Sequence, residues 1–449
     1  MKRIGRSISW FTLSLFAVMA LRITAPSAGE PPQVRVRADF DNAYVHTTRL
    51  GDRHLEIEVI APDGPPLHGD RRSPMNIALV IDKSGSMAHA GKMNYVKEAA
   101  RRMLDRLNYG DRFAIVTYDD DVRVLVRSEA VEDPSRARRL IDGLYPGGST
   151  NLGAGLIEGY EQVRRHYIPG GINRVLLLSD GLANRGITSA RELSRIVGRE
   201  SGRGISLATF GVGLDFNEDL LASMAESGRG TYYYIDRPQR IPEILAREFS
   251  IIRQIVALDV VITIEVRPEV IVRDVMGYEY LREGSRYRVR IGDLAAGERR
   301  RIMARLSPPA YHSGDHSIGD VRVEYQPHGK KTTITTTQKL RLRYVEEQSA
   351  VERNLNEGVA GRSAVYEANA ARRKAAELVD HGDTEEAREV LEESRRRLKD
   401  APVQSDEVRD ELKETENYQE AIQKPMSPEE KSAVQKGVKY RSYKVLQSK

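Results

Sequence analysis

Three short segments of the chain carry side chains that could perform chemistry together. Residues 82–86 contain an aspartate and two serines, residues 147–151 contain a serine and a threonine, and residues 179–181 contain a serine and an aspartate. These segments offer hard oxygen donors, with no imidazole or thiolate nearby in the sequence. Such a set suits a magnesium-like ion, which is held by one or two carboxylates while other positions stay open or filled by water. Because hydroxyls are neutral, the ion would still attract a carboxylate from outside.

The elements that must position these segments alternate between buried strands and amphipathic helices. Continuous apolar runs, typical of strands buried on both faces, lie at 76–81, 113–118, 175–178 and 206–211. Helical stretches lie between or after them, at 92–107, 152–166, 189–201 and 218–227. This alternation predicts an α/β fold with a doubly wound, mostly parallel sheet, and the run 121–126 fits an antiparallel edge strand. Ligands of such sheets bind beyond the carboxyl ends of the strands, where all three segments fall.

The chain from about residue 76 to residue 252 resembles a von Willebrand factor type A domain with a metal-ion-dependent adhesion site. The family pattern D-x-S-x-S is matched within residues 82–86, and the family's threonine and second aspartate fall in the other two segments. The resemblance implies that the metal-site residues are Asp82, Ser84, Ser86, Thr150 and Asp180. It implies Mg²⁺ as the ion, with Mn²⁺ or Ca²⁺ as alternatives. It also implies that the open metal position takes an Asp or Glu side chain of a partner protein.

The end of this domain bears on whether it can change shape. Residues 240–253 are expected to form its last helix, which runs into a strand at 256–266 without a Gly- or Pro-rich linker. In the family that the chain resembles, filling the open metal position can draw this helix along the domain. A helix that only packs on the sheet is the alternative, and we favour it here.

Enzyme hypotheses find little support in the sequence. There is no H-E-x-x-H zinc motif, and no Walker lysine follows the glycine pair 147–148. His312 and His316 are four residues apart but lie in a Ser-Gly-Asp loop with no helix to align them. Ser84 stands where a phosphoryl-transfer site would need its second acid, and Arg185 is interpreted as a surface residue. We therefore predict that the protein is not an enzyme.

Strands with a period of two flank the α/β block, which predicts an antiparallel β-sandwich into which the block is inserted or beside which it lies. The charged helices that follow residue 345 look like a single hairpin of the tetratricopeptide type, with Asp383 as an N-cap. The predicted organisation is a signal peptide at 1–28, N-terminal sandwich strands at 33–72, the type A domain at 73–253, the sandwich at 254–345, and a charged helical hairpin and tail at 346–449.

Composition and charge limit where the protein acts. The chain has 449 residues and no cysteine, which excludes disulfides, cysteine metal sites and thiol catalysis. The net charge of the chain is +5, but four of its basic residues lie in residues 1–28, which contain no acid. The charge of the remaining residues is therefore nearly balanced, which argues against nucleic-acid binding. Residues 1–28 have the basic start, short apolar core and small-residue end of an export leader. An uncleaved leader would tether the chain to the membrane.

These observations predict an exported protein of the periplasm or cell surface that captures an acidic side chain of a partner through a Mg²⁺-bridged site. The alternative is a scaffold of an envelope complex that binds through the sandwich and the helical tail without a metal, and a metal-assisted hydrolase is third. The arrangement of leader, strands and inserted domain resembles exported bacterial proteins described as calcium-activated-chloride-channel homologues.

Overall fold

The computed structural model describes residues 33–64, 74–130 and 134–448. The leader predicted at 1–28 lies outside the described residues. Within the described ranges, none of the helices combines the length and the apolar character that crossing a membrane requires.

The α/β block is built on a six-stranded sheet in the order β6-β5-β4-β7-β8-β9. Its strands are β4 (Met75–Asp82), β5 (Arg112–Tyr118), β6 (Val122–Ala130), β7 (Ile172–Ser179), β8 (Ser206–Val212) and β9 (Tyr232–Ile235). All neighbours are parallel except the edge strand β6, which runs antiparallel to β5 as the sequence predicts. Strands β4, β5, β7 and β8 are buried over almost their whole length, because helices cover both faces.

Six helices form the two outer layers of this block. They are α1 (Lys92–Leu104), α2 (Pro134–Asp142), α3 (Leu152–Arg165), α4 (Ala190–Gly202), α5 (Glu218–Ser227) and α6 (Ile241–Ile252). Helices α1, α2 and α6 bury their apolar side chains on one face of the sheet, and α3, α4 and α5 on the other. Helix α3 packs closely because Gly155 and Gly159 leave room for Tyr118 and Val80, which a Cβ atom would approach to 2.5 and 2.4 Å. Helix α2 and strand β9 were not predicted from the sequence.

The flanking strands form a sandwich of two sheets around one apolar core. The four-stranded sheet has the order β1-β3-β14-β11, and the six-stranded sheet has the order β12-β13-β10-β15-β16-β2. The strands before the α/β block are β1 (Arg35–Phe40), β2 (Tyr44–His46) and β3 (Arg53–Ile60). Those after it are β10 (Ile255–Val266), β11 (Ile271–Met276), β12 (Tyr280–Glu283), β13 (Arg286–Ala295), β14 (Arg299–Ser307), β15 (Gly314–Pro327) and β16 (Ile334–Val345). Strands from both sides share both sheets, so the α/β block is an insertion in the sandwich. One pair, β2 with β16, is parallel rather than antiparallel.

The C-terminal region contains more packed helix than the expected hairpin and tail. It consists of α7 (Gln348–Arg353), α8 (Glu357–His381), α9 (Thr384–Lys399), α10 (Asp406–Ala421) and α11 (Pro428–Leu446). Helices α8 and α9 form the expected hairpin, although Asp383 makes no side-chain cap bond at the start of α9. The segment expected as a tail differs because α10 and α11 bury apolar side chains, including Val408, Tyr418 and Tyr443, against other parts of the protein. Their polar composition hid this packing from sequence analysis.

Candidate metal centre

The three chemical segments meet at the point of the sheet where the strand order reverses. From β4 the chain first builds the sheet outward to β5 and β6, and then returns to place β7 on the other side of β4. Asp82 is the last residue of β4, Asp180 follows β7 directly, and Thr150 precedes α3. A crevice opens at such a reversal because the two connections leave the sheet edge in opposite directions.

Asp82 is completely buried and accepts two hydrogen bonds. The backbone N–H of Ser84 donates to its Oδ1 at 2.9 Å, and the Ser179 hydroxyl donates to its Oδ2 at 2.9 Å. Burial, with a contribution from the charge of Asp180, raises the pKa of Asp82 to about 6 although the hydrogen bonds from the two serines act to lower it. The two hydrogen bonds hold the carboxylate in one orientation. Because its negative charge is buried, a nearby cation would stabilise it.

Asp180 is also completely buried and uses both of its carboxylate oxygens. The Ser86 hydroxyl donates to Oδ1 at 2.7 Å, and the Lys92 ammonium donates to Oδ2 at 2.6 Å. The hydroxyl oxygens of Ser84 and Ser86 lie 3.1 Å apart. Lys92 was not found by sequence analysis, because a lysine at the start of a helix is ordinary and its spacing from Asp82 matches no motif used there.

Thr150 belongs to the same site. Its side chain is buried, and its backbone N–H donates to Asn184 Oδ1 at 2.9 Å. A Cβ atom built on Gly181 would lie 3.5 Å from Thr150 Oγ1 and 3.7 Å from Ser86 Oγ, so these two hydroxyls approach the same small cradle from opposite loops. The structure therefore brings all five residues that the sequence singled out to one place.

Backbone hydrogen bonds hold two of the loops at the site together. The N–H of Gly85 donates to the carbonyl of Gly148 at 3.1 Å, and the N–H of Gly147 donates to the carbonyl of Lys83 at 2.7 Å. Gly148 has φ of +79°, a backbone conformation that glycine adopts without strain. These contacts fix the relative position of the two loops without a ligand.

Paired charges surround the site. Lys83 forms an ion pair with Asp119, and Arg185 pairs with Asp120 at the surface, in agreement with the interpretation of Arg185 as a surface residue. A hydrogen bond from Ser149, together with Arg185, lowers the pKa of Asp120. Each rim cation has an acidic partner, so these pairs add little net charge to the centre.

The donor chemistry fits a hard divalent cation. The hydroxyls of Ser84, Ser86 and Thr150 converge with two carboxylates in one crevice. The Ser86 hydroxyl donates to Asp180, and the hydroxyl of a fourth residue, Ser179, donates to Asp82. A hydroxyl that donates its proton keeps its oxygen lone pairs available for a cation. Oxygen donors of this kind suit Mg²⁺, Mn²⁺ or Ca²⁺ rather than softer metals.

Comparisons with known proteins agree with this fold. Residues 76–247 match the family model described as von Willebrand factor type A domain. Over 292 residues the chain is 30% identical to the YfbK protein of Escherichia coli K12, covering 64% of this chain and 49% of that protein. Over 183 residues it is 30% identical to human inter-alpha-trypsin inhibitor heavy chain H3, covering 39% of this chain and 20% of that protein. The chain thus spans about half the length of the first relative and a fifth of the second.

The fold similarity extends beyond the α/β block. A solved structure described as von Willebrand factor type A from Catenulispora acidiphila superimposes with a TM-score of 0.72 and 18% sequence identity. The match covers 93% of this chain and 97% of that chain. Such coverage includes the sandwich and the helical region, so the whole three-part architecture recurs in that protein.

Proposed function

We propose that the α/β block, whose residues 76–247 match the von Willebrand factor type A model, binds a partner protein through a divalent metal ion at its strand-end loops. The observation that carries the proposal is the convergence of Ser84, Ser86 and Thr150 on a crevice backed by two buried carboxylates. Domains of the von Willebrand factor type A family generally mediate protein–protein interactions.

The chain's own residues have distinct roles in this proposal. The hydroxyls of Ser84, Ser86 and Thr150 supply neutral oxygen ligands, while Asp82 and Asp180 orient the loops and compensate part of the ion's charge. The bound ion supplies an electrophilic position for an oxygen ligand. We propose that the partner fills this position with an Asp or Glu side chain, that Mg²⁺ is the ion, and that Mn²⁺ or Ca²⁺ can replace it.

A scaffold that binds without a metal is the second candidate. It is supported by a groove, away from the metal site, that could hold a partner. A cavity of about 1070 Å³ lies between the sandwich and helices α8 and α9, with apolar Ala364, Ala368 and Leu398 among its lining residues. The metal-assisted hydrolase is a third candidate with less support, because no histidine is among the hydrogen-bond partners of the candidate site in the described part of the chain.

Affinity capture from the native envelope separates these candidates. The immobilised protein is incubated with extract in Mg²⁺ and again with a chelator, beside the variants Ser86→Ala and Ser194→Ala. Ser194 is a matched control because its hydroxyl also pairs with another serine, Ser223, away from the site. The proposal is supported if capture is lost with chelator and in Ser86→Ala but is kept in Ser194→Ala. Capture that persists with chelator supports the scaffold, and turnover of ester or phosphoester substrates supports the hydrolase.

We also propose that the protein is exported to the periplasm or cell surface through the leader at 1–28. The chain has one tryptophan, Trp10, which lies in the apolar core of that leader. Protein purified from the native envelope is therefore expected to show no tryptophan emission if the leader is removed. Emission would indicate that the leader is kept as a membrane tether.

A further inference from the structure

Lys92 is a buried cation beside the candidate metal site, and its ammonium is in direct contact with Asp180. Its side chain is 8% exposed, that of Asp180 is fully buried, and Nζ lies 2.6 Å from Asp180 Oδ2. We propose that Lys92 sets the charge of this site. Its ammonium compensates one of the two carboxylates, so the site binds a divalent ion more weakly and leaves that ion more attractive to an external carboxylate. This inference rests on the proposed metal-binding function.

The position of Lys92 in the fold directs its side chain to Asp180. Lys92 begins α1, directly after Gly91, and its stem passes Gly213, on which a Cβ atom would lie 3.7 Å from Nζ. Both oxygens of Asp180 are engaged, one by Lys92 and one by Ser86. Ser86 donates its proton to Oδ1, so its own oxygen remains free to bind an ion, while the ammonium of Lys92 occupies Oδ2.

The charge count makes Lys92 a specificity-determining residue. Asp82 and Asp180 supply two negative charges, Lys92 supplies one positive charge, and the rim residues Lys83 and Arg185 are paired with Asp119 and Asp120. Ligand charge is a main determinant of divalent-ion affinity in oxygen sites. A site with one net negative charge should exchange its ion readily and keep the ion electron-poor for a carboxylate ligand.

A purely structural role for Lys92 predicts the opposite change in metal affinity when the lysine is replaced. If the lysine only held Asp180 in place, replacing it would misplace Ser86 and weaken metal binding. If it sets the charge, the neutral replacement Lys92→Met keeps the buried stem, removes the ammonium and tightens metal binding. The affinity of the metal alone therefore distinguishes the two roles.

The test is calorimetric titration of Mn²⁺ into the full chain. Lys92→Met is expected to bind Mn²⁺ at least about tenfold more tightly than wild type, since a nearby positive charge no longer opposes the ion. Lys436→Met is the matched control, because Lys436 is also a buried lysine but pairs with Glu218 rather than with a carboxylate of the site. This variant should bind Mn²⁺ as wild type does. Equal or weaker binding by Lys92→Met overturns the inference.

A second pair of variants covers the case in which Lys92→Met folds poorly. Asp180→Asn leaves the ammonium without its partner and should weaken Mn²⁺ binding at least about tenfold, whereas adding Lys92→Met to it should restore most of the affinity. Failure of Lys92→Met to tighten binding in this background as well would exclude a charge-setting role. If wild type itself does not bind Mn²⁺, the proposed function fails, which is a separate outcome.

A second readout addresses the external ligand. Acetate can be titrated into the Mn²⁺-loaded protein while water-proton relaxation reports displacement of metal-bound water. The Lys92→Met protein should need several-fold more acetate than wild type, because its ion is better compensated. An unchanged acetate requirement would contradict the part of the inference that concerns partner binding.

Discussion

At the scale of single residues, most side chains of the candidate site could be predicted from the sequence, but Lys92 could not. Asp82, Ser84 and Asp180 could be predicted because strand ends are recognisable and parallel strands end at one edge. Lys92 could not be predicted, because its role depends on how α1 packs on the sheet and on a 2.6 Å contact between residues 88 positions apart. Long-range packing of one ordinary lysine leaves no local pattern.

Asp82→Asn tests the carboxylate that anchors the first loop. The variant is expected to lower Mg²⁺ affinity at least about tenfold, since it removes one of two carboxylates and hydroxyls alone compensate little of the ion's charge. In metal-free buffer its thermal midpoint should not fall, because burial already disfavours the charged form of Asp82. Calorimetric titration and thermal unfolding measure both effects. Asp142→Asn, at an exposed carboxylate paired with Arg101, is the control, and unchanged Mg²⁺ affinity in Asp82→Asn would contradict the site assignment.

At the scale of elements, the contact between α6 and the sandwich bears on whether α6 can move. Helix α6 ends at Ile252 and β10 begins at Ile255, in agreement with the predicted direct connection. Glu248 of α6 accepts hydrogen bonds from Arg174 of β7 at 2.9 Å and from Tyr233 of β9 at 2.6 Å. Arg174 also donates to Asp293 of β13 at 2.9 Å. This buried network ties α6 to the sheet and to the sandwich, which favours the static helix.

Arg174→Met is expected to lower the free energy of unfolding by about 3–5 kcal/mol, because it leaves Glu248 as a buried charge without its main partner. Urea unfolding measures the loss. Arg240→Met serves as the control, since Arg240 and Asp236 form an exposed pair whose loss should change the same free energy by less than about 1 kcal/mol. Equal effects of the two substitutions would show that the buried network does not hold α6.

A second contact between elements should depend on pH. His54 of β3 lies between Asp41 and Glu367 of α8, with 3.1 Å to each carboxylate. Burial lowers the pKa of His54, but the hydrogen bonds to Asp41 and Glu367 outweigh it and raise the pKa to about 9. The folded state therefore binds this proton more tightly than the unfolded state, so the stabilisation is complete below about pH 6.5 and is lost as the pH rises through 9.

The matching experiment compares wild type with His54→Gln by urea unfolding between pH 6 and pH 10. The wild-type advantage in free energy of unfolding should be greatest near pH 6 and shrink toward pH 10. Thr48→Ala, which removes an exposed hydroxyl from the neighbouring His46 turn, should leave the pH profile unchanged. A wild-type advantage that is constant across this range would show that His54 is not held protonated by its two carboxylates.

At the scale of the whole molecule, α11 joins the three parts of the chain. Lys439 of α11 forms ion pairs with Asp219 at 2.8 Å and with Asp380 at 2.6 Å, and a longer pair with Glu218 at 3.3 Å. These three acids lie close enough to hold a metal ion, but the lysine ammonium stands among them and compensates their charge. The helix ends against the sandwich, where Tyr278 donates a hydrogen bond to the carbonyl of Gln447 at 2.9 Å. None of this could be predicted from a segment as polar as 428–446.

Tyr443 should make the α/β block and the helical region unfold as one unit. Its ring packs against Tyr232 of β9, and its hydroxyl accepts a hydrogen bond from the Tyr232 backbone N–H at 3.0 Å. Tyr443→Ala is expected to lower the free energy of unfolding by about 3–5 kcal/mol, as for other large buried aromatic side chains. Tyr109→Ala, at a fully exposed ring, should change it by less than about 0.5 kcal/mol. Differential scanning calorimetry should show a single transition that moves as a whole in Tyr443→Ala. Two transitions, of which one alone moves, would mean that α11 packs on the α/β block without coupling the stability of that block to the helical region.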